Sequence, residues 1–86
     1  MKLTVRYFAQ LRELAGCGDE QLEMDGAGPC TAAEIISALS ARHDEAFGEA
    51  LRAENVRLAI NQTLVGSDAA AVDGDEVAFL PPVTGG

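Results

Sequence analysis

Few side chains in this sequence have the chemistry to react, and their spacing narrows what they could do. Its 86 residues include two cysteines, Cys17 and Cys30, and one histidine, His43. With no Cys-x-x-Cys pair and a lone histidine, a four-ligand zinc set of the Cys/His type cannot be assembled within the chain. No metal site is expected. The remaining reactive group is the terminal carboxylate of Pro81-Pro82-Val83-Thr84-Gly85-Gly86. Two residues without a Cβ leave the backbone bare beside it, so a partner's narrow channel could admit it and a nucleophile could approach. From Pro82 to Gly86 such a tail reaches about 17 Å, enough to enter a buried site on another protein. The alternative is an inert, frayed terminus.

The body behind that tail is small. One domain is expected over residues 1–80, with 81–86 as a flexible tail, and a core of this size leaves little room for an enclosed active site. Fourteen acidic residues against six basic ones give a net charge of -8. That balance argues against nucleic acid and anionic membranes, and any partner is expected to be basic where it touches this domain. No apolar run approaches a membrane span, and Met1-Lys2-Leu3-Thr4 leads into a strand pattern rather than a signal peptide, so the expected compartment is the cytoplasm. There Cys17 and Cys30 are expected as free thiols, a single disulfide being the alternative.

Several elements must position the tail. Leu3, Val5 and Tyr7 alternate with polar neighbours as in a half-buried strand, which puts Phe8 on the polar face. Phe8 then either caps the core at the strand end or is an exposed aromatic at an interface. Ala9 to Ala15 reads as a short helix with Leu11, Leu14 and Ala15 on one face, stopped by Gly16 and Gly18. Asp19 to Asp25 alternates as a second strand. Thr31 and Glu34 form a capping-box pattern ahead of a main helix over Ala32 to Arg42, with Ile35, Ile36 and Leu39 as its apolar stripe. His43 reads as a solvated helix end. A further short helix around Ala46 to Leu51 buries Phe47 and Leu51. Val56, Leu58 and Ile60 mark a third strand, Asn61-Gln62-Thr63 a turn, and Asp73-Gly74-Asp75 the turn into a last strand, Glu76 to Leu80. Pro81 and Pro82 stop the sheet.

One principal helix over a small mixed sheet is an α+β two-layer sandwich, and the long helical connection suits first and last strands lying parallel and adjacent. Phe8 and Leu80 then both face away from the helix, beside the root of the tail, with Leu64 as a third member of an apolar patch. Either short helices cover these side chains or they form a docking patch that aims the tail into a partner.

The segments Tyr7 to Gly16, Ala59 to Val65 and Asp73 to Gly86 resemble the sulfur-carrier small subunits of molybdopterin synthase. The resemblance implies a ubiquitin-like β-grasp fold and a carrier with no catalysis or cofactor of its own. It implies that an ATP-dependent adenylating enzyme, related to ubiquitin-activating enzymes, activates the Gly86 carboxylate, which becomes a thiocarboxylate. The tail Pro81, Pro82, Val83, Thr84, Gly85, Gly86 would then insert into the large catalytic subunit, and the sulfur would attack cyclic pyranopterin monophosphate. The assembly implied is a heterotetramer, with two carriers at opposite ends of a dimer of large subunits. Phe8, Leu64 and Leu80 fall at the family's hydrophobic contact positions for both partners, and Leu80 stands where relatives commonly carry an aromatic. Two neighbouring readings are a thiamine-type sulfur carrier and a ubiquitin-like protein modifier.

Overall fold

Apolar residues at every second position make Lys2–Tyr7 a strand, β1, whose inward side chains Leu3, Val5 and Tyr7 are buried. The computed structural model describes residues 1–26 and 28–81. The chain leaves β1 through Ala9, whose φ of 50° lies in the left-handed region, which costs a residue with a Cβ about 1 to 2 kcal/mol. Helix α1, Ala9–Ala15, ends on Gly16 at φ 79°, a left-handed cap that glycine tolerates. Strands β2, Asp19–Glu23, and β3, Cys30–Thr31, follow. Thr31 opens helix α2, Ala32–Arg42: its Oγ1 accepts the Glu34 N–H at 3.2 Å, and the Glu34 carboxylate accepts the Thr31 N–H at 3.0 Å. Asp44 caps helix α3, Glu45–Leu51, by accepting the Phe47 N–H at 2.8 Å. The remaining strands are β4, Arg57–Ile60, β5, Thr63–Val65, β6, Ala70–Ala71, and β7, Glu76–Leu80.

Strands β1 and β7 run parallel at the centre of a five-stranded sheet of order β2-β1-β7-β4-β5, whose other pairings are antiparallel. Ile35, Ile36 and Leu39 of α2, with Phe47 and Leu51 of α3, pack on Leu3, Val5, Tyr7, Val77 and Phe79 in one core. Burying each such side chain contributes about 1.5 to 3 kcal/mol, so the helical layer and the sheet hold one another. The expected α+β architecture, a mixed sheet under one main helix with short helices beside it, is the one observed. No helix among the described residues is long and apolar enough to cross a membrane.

The departures from expectation have local causes. β2 stops at Glu23 instead of Asp25: Glu23 pairs with Lys2, the first residue of β1, and beyond that pair only the Met24 N–H reaches across, to the Met1 carbonyl at 2.8 Å. β4 starts at Arg57, not Val56, because Arg57 pairs with Leu80, the last residue of β7, and the Val56 N–H is taken up locally by the Ala53 carbonyl at 3.0 Å. Asn61 and Gln62, at φ 50° and 69°, close a two-residue turn between Ile60 and Thr63, so Thr63 belongs to β5. Leu14 is 62% exposed and does not share the buried face of Leu11. The small β3–β6 ribbon was not expected; two-residue strands carry no readable alternation.

Candidate functional site

The register of the sheet decides which side chains share its outer face. Arg6 pairs with Ala78, Ala78 with Ala59, and Ala59 with Leu64, so one row crosses β1, β7, β4 and β5. In the next row Leu80 pairs with Arg57, and Phe8, one residue past the Tyr7–Phe79 pair, lies level with Leu80. Phe8 keeps an extended backbone, and the Arg6 guanidinium sits 5.5 Å from its ring centroid, a cation–π contact that fixes it on this face. Arg6 also lies 3.7 Å from Glu76.

The outer face thus carries an apolar stripe. Phe8 is 38% and Leu64 55% exposed, Leu80 is half-buried, and the small side chains of Ala59 and Ala78 are buried between them. With strands about 4.8 Å apart and adjacent rows about 6.6 Å apart along the strands, Phe8 and Leu64 stand roughly 16 Å apart at the stripe's two ends, with Leu80 between. The helices lie on the opposite face and do not cover Phe8 or Leu64. Leu80 is the last residue of the central strand β7, and Pro81 after it is half-buried. The expected tail residues Pro82, Val83, Thr84, Gly85 and Gly86 lie outside the described residues. The sequence reading found the three large apolar members of the stripe and missed Arg57 beside Leu80, which only strand register could have revealed.

The ThiS family sequence model matches residues 5–86. The chain belongs to the ThiS family. A molybdopterin synthase sulfur carrier subunit from Haemophilus influenzae is 44% identical over 84 residues, spanning 98% of this chain and 99% of its own length. One from Escherichia coli is 39% identical across the same shares. Among solved structures, SAMP1 of Haloferax volcanii superposes with a TM-score of 0.79 at 26% identity, both chains covered in full at 100%. The fold is the ubiquitin-like β-grasp, and the resemblance read from the two ends of the sequence holds across its whole length.

In this member of the ThiS family, a polar cluster lies under the apolar stripe, on the helical side of the sheet. Alternation puts Glu20 on the same side of β2 as buried Leu22, and its carboxylate is the hub. The Tyr7 hydroxyl donates to Glu20 Oε2 at 2.6 Å, His43 Nε2 lies 2.6 Å from the same oxygen, and Arg42 Nε lies 3.0 Å from Oε1. His43 is therefore not the solvated helix end expected from sequence. Its ring packs 4.6 Å from that of Phe47 and edge-on to Tyr7 at 6.4 Å. Its partner is 23 residues away in the chain, beyond the reach of local pattern. Burial, reinforced by the bond to Glu20, pushes the Tyr7 phenol far above its usual range. Burial alone would raise the Glu20 carboxyl, but the hydrogen bonds from Tyr7 and His43, with the charges of His43 and Arg42, bring it below its usual value. Both cysteines are free, and burial pushes each thiol up.

The cluster has a pH signature. A carboxyl lowered in the folded state contributes stability that is complete above its unfolded pKa, about 4.3, and is lost as pH falls through the lower folded value. Glu20→Gln is expected to cost about 1 to 3 kcal/mol at neutral pH, because the charge-assisted bonds become neutral or are left unmade. Urea titrations of both proteins from neutral pH into acid should show the gap between them closing below about pH 4. A gap unchanged with pH would mean that the Glu20 charge is not what the cluster uses.

Proposed function

We propose that this chain is the sulfur carrier of molybdopterin synthesis and has no catalytic activity of its own. Its 44% identity over 98% of the chain to a molybdopterin synthase sulfur carrier subunit carries this reading. Residues 1–80 are the globular carrier and 81–86 the tail. In the cytoplasm an adenylating enzyme uses ATP to convert the Gly86 carboxylate into an acyl-adenylate, releasing pyrophosphate. A sulfur nucleophile then displaces AMP and leaves a thiocarboxylate. A carboxylate is a poor electrophile and AMP a good leaving group, which is why activation must come first.

The chain itself binds neither cofactor nor metal for this. Its tail, Pro81, Pro82, Val83, Thr84, Gly85 and Gly86, enters the large catalytic subunit, where the sulfur attacks cyclic pyranopterin monophosphate. Two transfers complete the dithiolene, and two carriers serve a dimer of large subunits in a heterotetramer. Phe8, Leu64 and Leu80 dock the body so that the tail is aimed. The exposure of Phe8 and Leu64 on the face that also carries the end of β7 supports this.

Phe8→Ala is expected to weaken binding to the large subunit by about 1 to 3 kcal/mol, as for a moderate to strong interface anchor. Calorimetry showing unaltered affinity would place the docking surface elsewhere. The likeness to SAMP1 favours a second reading, a protein modifier whose Gly86 is joined to lysines of other proteins. Higher-mass conjugates in cell extracts would support that reading, and their absence beside a loaded thiocarboxylate would leave the carrier.

A further inference from the structure

We propose that Arg57 is the charged anchor of the docking face, and that the partner receiving the tail presents a carboxylate to it. The inference rests on the sulfur-carrier reading and deepens it by stating the chemistry of the partner's surface.

The chain has six basic residues. Arg42 is held by Glu20 on the helical side, Lys2 faces Glu23 at 4.0 Å, and Arg6 is shared between the Phe8 ring and Glu76. Arg57 is exposed and has no ion-pair partner among the described residues. It is the cross-strand partner of Leu80, so the two side chains rise from the outer face together, with Cβ atoms about 4.5 to 5.5 Å apart. A cation and an apolar anchor therefore stand side by side where β7 gives way to Pro81.

That pairing selects a partner. An apolar surface docking on Leu80 excludes water from the neighbouring guanidinium, whose charge then needs a hydrogen-bonding anion. A carboxylate there meets a planar fork of donors in a partly dry setting, where the interaction is stronger than at open surface. The net charge of -8 describes the whole surface, whereas at this rim of the stripe Arg57 has no ion-pair partner among the described residues. Long-range attraction by a basic partner and local capture of an acidic group are compatible, and the second sets register.

The test titrates the cognate large subunit with the full chain by calorimetry at low and high salt. Arg57→Glu is expected to weaken binding at least ~10-fold, through repulsion of the partner's carboxylate as well as loss of attraction. Arg57→Gln should weaken it less, and its affinity should depend less on salt than the wild-type chain's. Arg52→Glu makes the same change in net charge at the C-cap of α3, in the helical layer, and should alter affinity less than about twofold. Thermal unfolding of each variant checks that the body is intact, and Arg57→Gln alone suffices if the glutamate variant does not fold. Equal weakening by the Arg57 and Arg52 reversals would reveal a whole-chain charge effect and overturn the proposal, as would unchanged affinity in both Arg57 variants. A wild-type chain that fails to bind the large subunit at all would instead defeat the sulfur-carrier reading, and this inference with it.

Discussion

Deletion of Gly86 is expected to abolish sulfur loading while leaving the body of the protein unchanged. The truncated chain still ends in a glycine carboxylate, so the reactive group itself is conserved. What changes is its position, because one residue shortens an extended tail by about 3.5 Å. Catalysis by positioning tolerates far less: a misplacement of about 1 Å can cost a hundredfold in rate. Among the described residues, none of the buried core lies beyond Phe79, so the unfolding midpoint should be that of the full chain. Loading is read from the intact mass after incubation with the adenylating enzyme, ATP and a sulfur source. Efficient loading of the truncated chain would show that the partner does not measure the tail's length.

Leu80→Asp is expected to have the largest effect on docking. Leu80 is half-buried at the end of the central strand, level with Phe8 and next to the first proline of the tail. An aspartate there puts a carboxylate against whatever apolar surface the partner brings, and it also pairs with Arg57 and withdraws that cation from the partner. Loss of about 2 to 4 kcal/mol of binding follows from the usual cost of removing a central anchor, roughly 30- to 1,000-fold in Kd. The cost to the fold should be smaller, because Leu80 lies outside the core formed by Val77 and Phe79. Affinity within twofold of wild type would remove Leu80 from the interface.

The parts of the fold that were legible in sequence are those whose causes are local. Gly16 ends α1, and the Thr31–Glu34 box opens α2, so both helices lie where their caps place them. Alternation in β1 and β7 put Phe8 and Leu80 on the outer face, and the parallel β1–β7 pairing brings them level. What was not legible depends on contacts between distant residues. Glu20 lies on the apolar side of its strand by simple parity, a signal present in the sequence, but its meeting with Tyr7, Arg42 and His43 needs three elements to converge. Arg57 looks like any polar residue of an alternating strand until register sets it opposite Leu80. Leu14, spaced to be buried, is exposed because α1 rests on the core through Leu11 instead.

The central claim is that this chain carries sulfur on the carboxylate of Gly86. Intact and fragment mass spectrometry of the protein co-expressed with its adenylating enzyme tests it most directly. The account predicts a mass gain matching one sulfur-for-oxygen exchange, located at Gly86 and unchanged when Cys17 and Cys30 are both replaced by serine. An unmodified C-terminus, or sulfur found on either cysteine instead, would contradict it.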